Sequence, residues 1–186
     1  AVLEGKGERT ALITTEGFRD VLELARIRTP RLYDLYYRKP PPLVERRLRF
    51  EVRERMNYKG EVLTPLDMES VERVVERIAD SGVRSVAISL LHSYANADHE
   101  ASVAQSLRAR FPELNLSVSS ELLPEMREYE RTSTIVVNAY VGPIMARYLE
   151  NLQKALGTGL RVMQSSGGSI TASLAAQQPV RTVLSG

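Results

Sequence analysis

Hydrophobic and polar positions change period several times along the chain. The apolar run Ala11-Leu12-Ile13 ends in Thr14-Thr15, and Phe18, Val21, Leu22 and Ala25 then recur at helical spacing. This predicts a buried strand followed by a helix over 16–28, with Thr14 or Thr15 as the capping hydroxyl. Residues 47–54 alternate strictly, Leu48, Phe50 and Val52 against Arg49, Glu51 and Arg53. A period of two predicts a half-buried strand whose mixed-charge face is solvated, turned at Asn57-Tyr58-Lys59-Gly60 into a return over 61–63.

Behind Asp67, the stripe Val71, Val74, Val75, Ile78 and Ala79 predicts a capped helix that Gly82 stops. Residues 83–91 are apolar without alternation, the mark of a strand buried on both faces and therefore paired in parallel. A helix over 97–111 follows, with Asn96 as its cap and Val103, Ala104 and Leu107 inward, then a strand over 116–119. The longest stripe runs from 125 to 156 and is interrupted by Gly142-Pro143. Proline removes a ladder donor and crowds the preceding turn, so a kink or break is expected there. A strand over 160–164, a tight turn at Ser165-Ser166-Gly167-Gly168, a short helix over 171–177 and a terminal strand over 179–184 complete the reading. Strands alternating with helices give an α/β fold: a mixed sheet with crossover helices and an inserted β-hairpin.

Residues 29–44 break the periodicity. Tyr33, Tyr36 and Tyr37 precede Pro40-Pro41-Pro42, which reads as a stiff extended connector or, through the tyrosines, as a docking surface.

Composition narrows the function classes. The 186 residues are 43% hydrophobic and 26% charged, as in ordinary globular proteins. The net charge of +2 comes from 25 basic and 23 acidic residues that intermingle, so there is no basic stripe and nucleic acid is not an expected partner. No apolar stretch reaches membrane-spanning length, and the absence of cysteine excludes disulfide and thiolate chemistry. A cytoplasmic location is the expectation. With no Met at position 1 and an abrupt end at Ser185-Gly186, the chain reads as an internal piece of a longer protein.

Three places carry candidate chemistry. His92 and His99 bracket a strand-to-helix turn, where His92, Asp98, His99 and Glu100 are candidates for metal ligands, a general base, substrate lining or simple loop anchoring. The spacing fits no zinc pattern, and no metal site is assigned. Arg127, Glu128, Glu130, Arg131 and Thr132 crowd the start of the long helix. They are either surface ion pairs, Arg127 with Glu130 and Glu128 with Arg131, or the polar wall of a cleft where an arginine clamps a ligand. Ser165, Ser166 and Gly167 form a glycine-rich turn that could admit an anion, yet match neither a P-loop nor a dinucleotide fingerprint.

The blocks Arg9-Thr10-Ala11-Leu12-Ile13-Thr14-Thr15-Glu16-Gly17-Phe18-Arg19-Asp20, Leu90-Leu91-His92-Ser93-Tyr94, Arg127-Glu128-Tyr129-Glu130-Arg131-Thr132-Ser133-Thr134, Met163-Gln164-Ser165-Ser166-Gly167-Gly168 and Pro179-Val180-Arg181-Thr182-Val183-Leu184-Ser185-Gly186 occur in this order. Together they resemble the hydantoinase A / 5-oxoprolinase family over nearly the whole chain. One departure is Ala97, where the family usually has proline. The resemblance implies part of a two-lobed, actin-like (ribonuclease H-like) ATPase, with residues 1–123 ending lobe one and 124–186 beginning lobe two. It implies ATP-dependent opening of a cyclic amide by phosphorylation of its carbonyl oxygen, completed by a B-type partner subunit or domain. ATP and Mg²⁺ would be gripped by phosphate loops outside this chain, so neither is expected to bind this piece alone. Arg127, Glu128, Arg131 and Thr132 would line the interlobe cleft, with Ser165, Ser166 and Gly167 near substrate or phosphate and His92 close by. Catalytic residues are not assigned. Two alternatives are a non-catalytic module that docks the partner subunit, and the A-type subunit of an ATP-dependent ketone carboxylase.

Overall fold

The computed structural model describes residues 2, 4–26, 34, 36–157 and 159–182. Its centre is a four-stranded sheet in the order β2-β1-β5-β6, built from β1 (Thr10–Thr15), β2 (Arg49–Val52), β5 (Ser85–Ser89) and β6 (Asn115–Val118). Every pairing in it is parallel. The sheet is therefore not mixed as expected. The antiparallel hairpin of β3 (Arg55–Met56) and β4 (Val62–Thr64) stands beside it as its own two-stranded sheet.

All residues of β1 and β5 are buried, as central parallel strands require. Helices α2 (Met68–Ser81) and α3 (Asp98–Arg110) contact each other, and α1 (Val21–Leu24) contacts α5 (Glu128–Leu156), so helices cover the sheet in two layers. Val71, Val74, Val75 and Ile78 of α2, Val103, Ala104 and Leu107 of α3, and Ile135, Val136 and Ala139 of α5 share one core with Leu12, Ile13, Val86 and Ile88. The caps of α2 follow the sequence. The Asp67 carboxylate accepts from the Glu69 amide, and Gly82 closes the helix at φ 66°, a left-handed value that glycine adopts without strain. The cap of α3 differs: Ala97 is its N-cap, while the Asn96 side chain accepts from the Asp98 amide at 2.9 Å.

Three expectations are corrected. The helix expected over 16–28 is a turn followed by the four-residue α1; residues 27 and 28 lie outside the described part, as does Tyr33 of the proline connector. Gly17 takes φ 87°, and the Thr15 hydroxyl is held by tertiary contacts instead of capping a helix. The alternating stretch 47–54 is not the first arm of the hairpin. It enters through a 3₁₀ turn (Arg46–Leu48), pairs with β1, and buries Arg49 of the side expected to be solvated; Glu54, on the parity of the apolar face, is buried too. The hairpin turn lies where expected, but its arms are 55–56 and 62–64.

Helix α5 runs unbroken for 29 residues with Pro143 inside it. Proline at 143 cannot donate to the Ala139 carbonyl. The buried Ser85 hydroxyl at the start of β5 donates to that oxygen instead, at 2.6 Å. The break foreseen from sequence is thus prevented by a residue 54 positions away. Beyond α5, β7 (Arg161–Met163) and β8 (Ser169–Thr171) form a hairpin, followed by the expected short helix α6 (Ala172–Gln177), which Thr171 caps. The β8 arm was not foreseen. The expected terminal strand is a 3₁₀ turn over Pro179–Thr182, and residues 183–186 lie outside the described part.

An ion pair ties the turn before β2 to α1. Arg46 donates to Asp20 through two parallel bonds, Nε to Oδ1 and Nη2 to Oδ2, both 2.9 Å. The Arg46 hydrogen bond, aided by Arg46, Arg19 and Arg49 charges, holds the Asp20 carboxyl below its ordinary value of 3.8. The folded state therefore binds this proton less readily than the unfolded chain. The stabilisation is present above about pH 4 and fades as pH falls through the folded value. Both partners are solvated, so the effect is small and screened by salt. Arg46→Gln is expected to return Asp20 toward 3.8 in a carboxyl-carbon NMR titration, and an unchanged titration would show that the pair does not persist in solution.

Candidate functional site

Parallel strands leave their carboxyl ends together, and the crossovers from β1 run to opposite sides of it, to β2 and, through β2, to β5. The crevice between β1 and β5 is the topological switch point where open α/β sheets place ligands. Here it is built from polar groups. The Thr15 hydroxyl, ending β1, donates to Glu54 just past β2 and accepts from the Leu91 amide at 2.9 Å. The other Glu54 oxygen meets His99 Nδ1 at 2.8 Å. Glu54 is buried, while His99 keeps a thin exposed edge.

A second network joins this one through the loop after β5. The Glu100 carboxylate is fully buried. Its Oε1 accepts from the Leu90 amide (2.8 Å) and the Ser119 hydroxyl (2.6 Å), and its Oε2 accepts from the Ser120 amide (2.8 Å). Arg131 of α5, 1% exposed, donates to the Leu90 carbonyl at 2.7 Å, to Ser119 at 3.0 Å, and to Ser93. Its Nε is buried with no partner among the described residues. Burial pulls the guanidinium below its usual value, while Glu100 and Glu128 pull the other way. Arg131 and Glu100 thus act on each other through Ser119, a charge-assisted relay in a dry setting. The next residue of α5, Thr132, shares a 2.9 Å hydrogen bond with Ser89 of β5.

His92 sits at the tip of the loop with φ 57°, a left-handed conformation that costs a non-glycine residue about 1 kcal/mol. Its Nδ1 lies 3.3 Å from the Tyr94 hydroxyl, and the Arg131 guanidinium lies over the Tyr94 ring. A strained histidine beside a switch point, braced by a buried arginine, is an arrangement that holds a side chain in one place.

Among the residues singled out from sequence, the structure brings Arg131, Thr132 and His92 into one neighbourhood. Arg127 and Glu128 lie exposed at the start of α5, and the expected pair of Arg127 with Glu130 is replaced by one between Arg26 and Glu130. Ser165, Ser166 and Gly167 are exposed at the tip of the β7–β8 hairpin, which is tied to the Arg181 carbonyl. Sequence reasoning missed Thr15, Glu54, Ser93 and Ser119. The available signal was a polar residue at or just past the carboxyl end of each predicted parallel strand.

No group of three or more metal-ligating side chains occurs among the described residues. The glycine-rich turn is a poor phosphate cradle, because the Ser165 amide donates to Arg181 and the Gly167 amide to Gln164. The residues present therefore do not fit a nucleotide–metal grip. Nor is any helix among them long and apolar enough to cross a membrane.

Two family models match the chain, one described as the hydantoinase/oxoprolinase N-terminal region over residues 1–111 and one as hydantoinase/oxoprolinase over 131–186. An uncharacterised protein of Methanocaldococcus jannaschii is 42% identical over 96% of this chain and 27% of its own. Caprolactamase subunit alpha of Pseudomonas jessenii is 33% identical over 100% of this chain and 28% of its own. The crystal structure of the ATP-dependent caprolactamase from Pseudomonas jessenii superposes with a TM-score of 0.87 at 31% identity, over 97% of this chain and 28% of that one. A nucleotide-free acetone carboxylase gives 0.84 at 27% identity, over 99% and 28%. The chain spans little more than a quarter of each of these two relatives' own length.

Proposed function

Because this chain belongs to the hydantoinase/oxoprolinase family, we propose that it is part of the A-type subunit of an ATP-dependent enzyme that opens a cyclic amide of hydantoin or 5-oxoproline type. The observation that carries this reading is the likeness, over 97% of the chain, to the ATP-dependent caprolactamase of Pseudomonas jessenii, a lactam-opening enzyme by name. An amide is stabilised by resonance, and ATP is the usual means of activating its carbonyl. The described residues include no phosphate cradle or metal-ligating group, so they are assigned positioning and binding only. Arg127 and Glu128, exposed at the start of α5, face the cleft and engage the substrate. Arg131 and Thr132 beneath them fix the helix against the switch point, with His92 alongside. The Ser165 and Ser166 hydroxyls and Gly167 lie near the substrate or its phosphate.

In this reading the intact protein has two actin-like lobes, residues 1–123 closing the first and 124–186 opening the second. The two family models, which part between 111 and 131, support that division. Helix α5 packs into the parallel-sheet core through Ile135, Val136 and Ala139. Tyr148 and Leu156 of α5 and Met163 of β7 are 58–68% exposed. That apolar surface supports cover from the rest of the protein or from a B-type partner subunit, and a cytoplasmic setting is the reading that goes with it.

The test is ATP hydrolysis by the full-length protein with its partner subunit, over a panel of lactams, hydantoins and ketones. A cyclic amide is expected to stimulate turnover, and Arg127→Gln to cut that stimulation about tenfold or more, the worth of one charge-assisted hydrogen bond. Stimulation by a ketone with bicarbonate, and by no cyclic amide, would favour the carboxylase reading that the acetone carboxylase likeness supports. Unchanged turnover with loss of partner co-purification would favour a docking module.

A further inference from the structure

Beside the edge strand β2 lies a groove of about 390 Å³ that the function above does not use. It is walled by the turn after β1, the outward side chains of β2 and the first turns of α2. Five arginines line it: Arg19, Arg49, Arg53, Arg73 and Arg77. Three carboxylates, of Glu16, Glu51 and Asp67, also line it, while Arg49 pairs with Glu23 and Asp20, and Arg73 with Glu69, just outside the lining.

The decisive residue is Arg49. Its side chain is 1% exposed, and burying a guanidinium without partners for its donors is costly. Nε donates to the Val44 carbonyl and Nη2 to Glu23, both at 3.0 Å. Nη1 is buried with no hydrogen-bond partner among the described residues, and its nearest carboxylate, Asp20, is 3.7 Å away. Arg19 repeats the pattern: its Nε is buried without a hydrogen bond, 3.8 Å from Glu51. Glu51 itself is turned to the Gly17 amide at 2.8 Å. Arg53 makes no side-chain hydrogen bond or ion pair among the described residues, and Arg77 lies over the Phe50 ring, leaving its fork edge unused. Two buried donors, Arg49 Nη1 and Arg19 Nε, thus belong to residues lining one polar groove and lack a hydrogen-bond acceptor among the described residues, and Arg53 beside them has no ion pair there.

We propose that this groove binds a phosphate dianion, either free or as the head of a phosphomonoester. Planar guanidinium forks suit the tetrahedral oxyanion, whose several oxygens can accept from Arg49, Arg19 and Arg53 together. The volume leaves room for the carbon skeleton of an ester.

The test uses the full-length protein and isothermal titration calorimetry at fixed ionic strength, with inorganic phosphate and ribose 5-phosphate as probes. Saturable binding of at least one probe is expected. Arg53→Gln and Arg19→Gln are each expected to weaken it about tenfold, the cost of one charge-assisted hydrogen bond. Both side chains are partly solvated, so the unliganded variants should keep their unfolding temperature, which separates a lost ligand contact from a misfolded chain. Tighter binding of the ester identifies a phosphorylated metabolite as the ligand class, and binding of phosphate alone identifies the free anion. Absence of saturable binding by either probe, or binding that both substitutions leave untouched, overturns the proposal. Lactam-stimulated turnover is a separate measurement, so neither result decides the other.

Discussion

Arg131→Met should destabilise the protein by about 3–5 kcal/mol, the range seen when one member of a buried charged network is removed. Methionine fills similar volume, so the cost is electrostatic and not a cavity. The substitution strips a donor from the Leu90 carbonyl and from the hydroxyls of Ser93 and Ser119. It also deprives the fully buried Glu100 carboxylate of the positive charge that acts on it through Ser119. Urea denaturation measures the loss. Adding Glu100→Gln should recover part of it, since the uncompensated anion is then gone, and the double-mutant cycle reports the coupling between the two. A single-variant cost below about 1 kcal/mol would mean that water or a rearranged loop replaces the arginine, and that the relay through Ser119 is not a real unit. The same variant should speed amide exchange at Ala95, whose N–H bonds the His92 carbonyl, because Arg131 braces the loop that holds His92 at positive φ.

That outcome bears on function through geometry. If Arg131 holds the β5–α3 loop, substitutions at 131 will reduce activity without touching a substrate, and the informative positions for ligand contact are Arg127 and Glu128 on the exposed end of the same helix. Sequence reasoning placed all four residues in one class. The structure sorts them by burial, and only the solvated pair can meet a ligand directly.

What was legible in the sequence is what local periodicity encodes. Helix α2 announces itself through Asp67, the stripe Val71 to Ile78, and Gly82, because cap, face and stop all lie within its own span. Strand β5 is equally plain, since burial on both faces leaves no alternation. The failures share one cause, a long-range partner that overrides local pattern. Thr15 looked like a helix cap, but its hydroxyl belongs to Glu54 and Leu91, 39 and 76 positions away. Arg49 looked solvated by alternation, but Glu23 and the Val44 carbonyl make its burial tolerable. The candidate site follows the same rule. Arg131, Thr132 and His92 were visible as unusual residues in unusual places, whereas Ser93 and Ser119 are ordinary serines until the fold puts them under one guanidinium.

The sharpest example of such an override is also a quantitative prediction. Ser85→Ala is expected to cost about 1–3 kcal/mol, although it removes a single oxygen. That oxygen donates to the Ala139 carbonyl at 2.6 Å and accepts from the Asn115 side chain at 2.7 Å, and both Ser85 and Ala139 are without exposure. Without it, the carbonyl that Pro143 has already deprived of its ladder partner is buried and unsatisfied. In a Pro143→Ala background the alanine N–H can close the ladder to Ala139, so the penalty for losing Ser85 should shrink toward the Asn115 contribution alone. Thermal or urea unfolding of the four proteins in this cycle gives the coupling directly, and about 1 kcal/mol or more is expected. Strict additivity would mean that the hydroxyl and the proline act independently, and that α5 stays continuous through Pro143 by packing of Ile135, Val136 and Ala139 rather than by a substitute hydrogen bond.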